Sequence, residues 1–161
     1  MLSVITTCAL SGIDAYPITI EVDMSPGLPG FSMVGLPDSA VKEARERVFA
    51  ALKNSGFSIP SKKITINLAP GGIRKEGTGF DLPLAIGILL ASGQVEPVTL
   101  DPYLFLGELS LDGSIRNIRG VLPAAIYVKE KGLAGLVIPI GNLDEAGLVE
   151  GIGILGAANL L

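Results

Sequence analysis

The sequence predicts an α/β fold in the loose sense, or α+β, organised as a single domain over residues 1–161. Three observations carry this. Segments 2–9, 16–24 and 62–69 are rich in Val, Ile and Thr. In 16–24 and 62–69 apolar residues alternate with polar ones, as Ile18, Ile20 and Val22 do with Thr19, Glu21 and Asp23, which is the pattern of half-buried strands. Stretches near 39–55, 82–92 and 121–131 carry helix signals, and Asp112-Gly113 between two strand-like runs is a hairpin signal. Hairpins and crossovers mixed in this way define the class.

Taken in order, the strands at 2–9 and 16–24 are followed by a turn cluster, Ser25-Pro-Gly-Leu-Pro-Gly30, and a short strand at 31–34. Asp38 is placed to cap a helix running to about Ser55, with Gly56 just past its end. At 100° per residue, Ala40, Ala44, Val48 and Ala51 share one side of that helix, flanked by Val41 and Leu52. Lys42, Glu46 and Lys53 fall opposite, and Phe49 falls among them. Either neighbouring parts of the fold cover Phe49, or it is a docking contact. After the strand at 62–69 comes a glycine-rich loop with Pro70, Gly71, Gly72, Gly77 and Gly79. Asp81 is then expected to cap a helix at 82–92 that is apolar on nearly all sides and so buried. Strands at 103–110 and 114–118 flank Asp112-Gly113. A helix at 121–131 ends at Gly132, where Lys129 and Lys131 suit the C-terminal dipole. A buried strand at 134–139, a short helix at 142–149 and a strand near 152–155 complete the pattern.

Composition removes several function classes. Apolar residues make up 48% of the chain and charged residues 17%, the opposite of a disordered composition. Cys8 is the single cysteine and histidine is absent, which excludes a disulfide scaffold and His-dependent catalysis, and leaves no plausible zinc ligand set. No uncharged run exceeds 14 residues, as in 82–95, whereas spanning a bilayer takes about 20. The N-terminus lacks a positive region before its apolar run, so it does not read as a secretory signal, and a cytoplasmic location is expected.

The net charge is −4, but its distribution is uneven. Residues 1–41 contain no Lys or Arg. Residues 42–75 hold Lys42, Arg45, Arg47, Lys53, Lys62, Lys63, Arg74 and Lys75 against Glu43 and Glu46. Of these, Lys42, Arg45, Lys53, Lys62, Lys63, Arg74 and Lys75, together with Phe49, are the candidates for contact with nucleic acid or a partner; the alternative is a plain solvated face.

The loop Gly72-Ile-Arg-Lys-Glu-Gly77-Thr78 has the outline of a phosphate-binding P-loop, G-x-x-x-x-G-K-S/T. Thr78 follows Gly77 directly, so the lysine that would reach the β and γ phosphates has no slot. Without histidine, nucleophilic chemistry would need a hydroxyl–lysine pair. Ser61, Thr78, Ser110, Ser114 and Lys63, Lys75, Lys129 supply the residue types without any spacing that pairs them.

Longer segments carry a resemblance. Val34-Gly-Leu-Pro-Asp-Ser-Ala-Val-Lys-Glu-Ala-Arg-Glu-Arg-Val48, Asn67-Leu-Ala-Pro-Gly-Gly-Ile-Arg-Lys-Glu-Gly-Thr-Gly-Phe-Asp-Leu-Pro83 and Leu106-Gly-Glu-Leu-Ser-Leu-Asp-Gly-Ser-Ile-Arg-Asn-Ile-Arg-Gly-Val-Leu-Pro123 closely resemble the N-terminal domain of the ComM/YifB family, bacterial Mg-chelatase-like AAA+ proteins. The resemblance covers essentially all of the chain. It implies a ribosomal protein S5 domain 2-like fold, as in the proteolytic domain of Lon. It also implies that an ATPase core lies beyond Leu161, in keeping with the uncharged run 151–161, which reads as a cut within a longer polypeptide.

The Lon likeness fixes two positions. Lon carries K-D-G-P-S-A-G with the nucleophilic serine, then G-E-I/V-S/T-L-R-G followed by G-G-L-K with the basic lysine. Lys75-Glu-Gly-Thr-Gly-Phe-Asp81 matches the first motif and puts Gly79 at the serine; Gly107-Glu-Leu-Ser-Leu-Asp-Gly113 matches the second and puts Leu122 at the lysine. Neither residue can do the chemistry, and Thr78 sits one residue off the slot. The resemblance therefore implies no catalytic, cofactor or metal residue in this chain. It implies a hexameric ring that uses ATP and Mg²⁺ in the absent core and drives DNA branch migration during natural transformation. The partners it implies are the chain's own ATPase core, neighbouring protomers and DNA through the full ring. The alternatives are a residual Lon-like peptidase or a protein-interaction module without DNA contact.

Overall fold

The computed structural model describes residues 1–97 and 103–161. Chain order is β1 (Leu2–Ser11), β2 (Asp14–Ser25), β3 (Gly30–Val34), α1 (Ser39–Asn54), β4 (Lys63–Ala69), α2 (Asp81–Ala91), β5 (Tyr103–Phe105), β6 (Glu108–Leu109), β7 (Ile115–Arg116), α3 (Val121–Lys131), β8 (Gly135–Pro139), a 3₁₀ turn (Ile140–Asn142), α4 (Leu143–Ala146) and β9 (Gly153–Ala157). Seven strands form one mixed sheet in the order β3-β4-β2-β1-β5-β8-β9. The β1–β2 hairpin and the β2–β4 pair are antiparallel; β3–β4, β1–β5, β5–β8 and β8–β9 are parallel. This is the mixed α/β class that the sequence predicts. No helix is long and apolar enough to cross a membrane among the described residues.

Alternation places the strand side chains. Ile18, Ile20, Val22 and Met24 of β2, with Ile64, Ile66 and Leu68 of β4, bury one sheet face beneath α1 and α2. Val41, Ala44, Val48, Ala51 and Leu52 are the buried stripe of α1. Helix α2 is buried almost all round, as its sequence requires. Cys8, Leu104, Leu136 and Ile138 point to the other face, where Val121, Ala124, Ala125 and Val128 of α3 cover them.

Local signals set most boundaries. The Asp38 carboxylate accepts the Val41 N–H at 2.8 Å and caps α1. Gly132 ends α3 in a left-handed conformation, φ 65°, its N–H bonded back to the Val128 and Lys129 carbonyls. Gly113, φ 88°, closes the β6–β7 ribbon, in which Glu108 pairs with Arg116 and Leu109 with Ile115.

Three expectations need correction. Residues 103–110 are not one strand: β5 stays in the main sheet while β6 joins the separate ribbon. The break falls at Leu106–Gly107, where Leu106 N–H donates to Val137 and Gly107 N–H to Gly79. Asp81 does not cap α2, because its carboxylate is drawn to Arg47 and the Leu109 N–H; Phe80 holds the cap position without a side-chain bond. The helix expected at 142–149 is reduced to α4, preceded by the 3₁₀ turn. Asn142 there clamps the Ile118 backbone, accepting its N–H at 3.0 Å and donating to its carbonyl at 2.9 Å.

Candidate functional site

The N-terminal end of α2 opens onto a depression of about 420 Å³, walled by Glu76, Gly77, Thr78 and Gly79, by Glu108 of β6, by Asn117–Arg119, and floored by Cys8, Ala9, Phe80 and Leu106. The glycine loop and the ribbon meet here through the main chain. Gly107 N–H donates to Gly79 at 3.0 Å, and its carbonyl accepts Leu82 N–H at 2.9 Å. Only glycine fits at 107 without adjustment, since a Cβ there would lie 3.0 Å from Ile115 and 3.2 Å from Leu82.

Within the depression, Thr78 Oγ1 donates to the Glu108 carboxylate. Gly79 brings no side chain, although a Cβ there would make only ordinary contacts, 3.5 Å to Leu106 and 3.7 Å to Ile118. Space for a side chain thus exists at the slot that matches the Lon nucleophile. Behind it, Asp81 is fully buried and held by a bidentate pair with Arg47, Nε at 2.6 Å and Nη2 at 3.0 Å, plus the Leu109 N–H at 3.1 Å. Arg47 Nη2 also reaches the Ala40 carbonyl at 3.1 Å. Burial pushes the Asp81 carboxyl up against the pull of Arg47, while the bond to Asp81 raises Arg47 further. On the floor, burial pushes the Cys8 thiol up to about 12, so it is no thiolate nucleophile.

Leu122, the position matching the Lon lysine, does not line this depression. It lies in the first turn of α3 with its N–H bonded to Glu145 at 3.1 Å, and its side chain faces a separate hollow with Ile126 and Leu148. The cation on the rim is Arg119. Glu108 and Arg119 lie within the segment 106–123, where nothing in the sequence pattern gives either a role. Their positions come from the ribbon and from the Gly120 turn at the start of α3.

The basic candidates scatter. Lys42, Lys53, Lys62 and Lys63 are exposed, and among the described residues none has a carboxylate within ion-pair distance. Arg45 pairs with Glu46 at 2.9 Å and lies over the rings of Phe31 and Phe49, 5.5 and 5.3 Å from their centroids. Phe49 packs edge-on against Phe31 at 5.5 Å, which leaves it half-buried. Arg74 pairs with Glu76 at 3.1 Å on the surface. Lys75 is a correction: it is fully buried and unavailable to any partner, its Nζ donating to the carbonyls of Gly35, at 2.6 Å, and Pro70. The loop folds inward at Lys75, whose ammonium meets these two carbonyls from separate segments.

Mixed sheet, crossover helices and a cavity at the α2 N-terminus define a mixed α/β domain, in which Gly79 is the position that matches the Lon serine. A family model described as subunit ChlI of Mg-chelatase matches residues 20–142, and the chain belongs to that family. The chain is 48% identical over 159 residues to the uncharacterized protein YifB of Escherichia coli (strain K12), covering 99% of this chain and 31% of that one. It is 47% identical over 149 residues to the competence protein ComM of Haemophilus influenzae, covering 92% and 29%. Lon protease 2 of Bacillus subtilis matches at 31% over 105 residues, 65% of this chain and 18% of the protease. The chain therefore spans about a third of the length of YifB and ComM.

Proposed function

We propose that the chain is the non-proteolytic Lon-like module of a ComM/YifB-type hexameric AAA+ ATPase, cytoplasmic, acting in DNA branch migration and recombination during natural transformation. Its own role is assembly, regulation or guidance of the substrate. ATP and Mg²⁺ belong to an ATPase core outside this chain, and the partners are that core, the neighbouring protomers and DNA held by the whole ring.

One observation carries the reading. The position that matches the Lon nucleophile is an empty-handed glycine, and the position that matches its base points into a different hollow. An acyl transfer needs nucleophile and base within hydrogen-bond reach. Here neither atom exists, and the nearby Thr78 hydroxyl is committed to Glu108. The 47% identity to a protein named for competence, over 92% of the chain, supports the role in natural transformation.

The isolated chain should neither cleave casein or peptides nor bind nucleotide. Gly79→Ser fits the available space, so it should fold with a stability change within about 0.5 kcal/mol and still show no peptidase activity, alone or with Leu122→Lys. Thermal melting and release of a fluorogenic peptide check both parts. Peptidase activity in the unaltered chain that disappears in Thr78→Ala would establish the residual-peptidase alternative instead.

Contact with DNA rests on Lys42 and Lys53 of α1 and Lys62 and Lys63 at the start of β4. With Arg45 and Arg74 already paired and Lys75 buried, the binding expected of them is weak, independent of sequence and dependent on multivalency in the ring. In the full-length ring, Lys42→Glu with Lys53→Glu should lower affinity for a four-way junction and flatten its dependence on salt. Affinity and salt slope both equal to those of the unaltered ring would assign these lysines to solvation and favour a module without DNA contact.

A further inference from the structure

We propose that residues 70–77 form a strap that closes over the cavity wall and that Lys75 is its clasp, so that the strap opens as a unit while the sheet and helices stay folded. Among the described residues, the main-chain bonds that tie this stretch to the rest of the fold all run through one residue. Lys75 N–H donates to Leu36 at 3.1 Å, and the Lys75 carbonyl accepts the Asp38 N–H at 3.0 Å. Its Nζ adds the bonds to Gly35 and Pro70. Besides Lys75, the strap's ties among the described residues are the half-buried Ile73 side chain against the main core, the Ile73 N–H bonded back to Pro70 within the strap, and the surface pair of Arg74 with Glu76. Gly71, Gly72 and Gly77 have no neighbouring atom within 4 Å of where a side chain would start, so nothing packs against the strap at those points.

The clasp is chemically unusual. Lys75 is 0% exposed, yet among the described residues no salt bridge reaches it and its ammonium bonds only to carbonyls. A buried cation without a counter-ion gives up solvation that carbonyls return only in part. Leaving the pocket restores that solvation, which favours a local opening well below the cost of unfolding the domain. The docking side is held under tension as well, since Leu36 adopts φ 57°, a left-handed conformation disfavoured for leucine. Independently of this geometry, burial pulls the Lys75 ammonium below the usual lysine range.

Opening would change the site. Glu76, with Ala9 and Leu10 of β1, borders both the depression at Thr78–Gly79 and a second one of about 380 Å³ lined further by Tyr16, Gly72 and Arg74. Releasing Lys75 frees the Glu76 side of that border and widens the passage between the two. The inference does not depend on the family reading, because it uses only the contacts of the loop.

The test is amine-reactive footprinting of the unaltered chain with an N-hydroxysuccinimide acetate, read residue by residue by mass spectrometry and followed by hydrogen exchange of the singly labelled species. Lys75 is expected to acetylate at least about tenfold more slowly than the exposed Lys62 and Lys63, as a locally opening site does. Molecules acetylated at Lys75 should have lost amide protection over 70–77, while β4 and α2 remain protected. Labelling of Lys75 as fast as Lys62 would show that it is not clasped. Labelling confined to molecules deprotected throughout, or no labelling at all, would show that the strap does not open separately. Any of these three results overturns the proposal. A Lys75→Arg variant gives a second measurement: its longer, always-charged side chain should leave the strap unprotected in a fold whose sheet exchanges like that of the unaltered chain.

Discussion

Replacing Arg47 by methionine is expected to lower the stability of the chain by about 3–5 kcal/mol, the cost of leaving a buried carboxylate without its partner. Asp81 has no exposure and depends on two guanidinium bonds, at 2.6 and 3.0 Å, with one N–H from Leu109 as its remaining donor. The loss should appear as a lower urea midpoint with an unchanged slope. Removing both charges, as Arg47→Met with Asp81→Leu, should restore a large part of it, because an apolar pair of similar volume no longer strands a charge. The double variant still leaves Leu109 N–H without its acceptor, so recovery stays incomplete. Equal destabilisation in the single and double variants would mean that the pair contributes by packing rather than by charge. The pair also ties α1 to the head of α2 and to β6, so the site should loosen with it.

Gly35→Ala is expected to be as damaging, by about 4 kcal/mol, through backbone geometry alone. Gly35 sits at φ 101°, and a Cβ there would lie 2.1 Å from the Leu68 carbonyl oxygen and 2.9 Å from its carbon. The obstacle is main chain of β4, which is held between β2 and β3, so it cannot move aside. Gly71→Ala and Gly72→Ala provide the contrast: nothing lies within 4 Å of either position, and neither requires a left-handed backbone. Those two should change stability by no more than about 0.5 kcal/mol. Thermal unfolding of the three variants side by side checks the prediction, and a mild effect at Gly35 would show that the β3–β4 edge yields.

The elements legible in the sequence are those fixed by contacts within a few residues. Asp38 caps α1 because its carboxylate needs only the Val41 N–H three residues on. Gly132 and Gly113 end an element because each supplies a positive φ where one is needed. The alternation in β2 and β4 and the stripe of α1 follow from the strand and helix periods, so the fold class and the main core are readable before any contact is known. The vacant nucleophile slot at Gly79 was readable too, since a glycine carries no hydroxyl in any environment.

Other features depended on which surfaces meet. Asp81 has the residue type and position of a helix cap, and only the arrival of Arg47, 34 residues earlier in the chain, turns it into one half of a buried pair. Lys75 belongs by composition to a basic stretch, yet two carbonyls, one of them 40 residues away, draw it out of solvent. Leu122 aligns with a catalytic base, but the turn at Gly120, against which Leu10 packs, sends it to a different hollow and leaves Arg119 at the rim. By itself the sequence determined the periodicities, the turns and the absence of a nucleophile at residue 79, because these follow from each residue's own bonds and its near neighbours. Only the tertiary structure decided which charges are buried, paired or free, because the energy of a charge is set by every group that surrounds it and those groups come from distant segments.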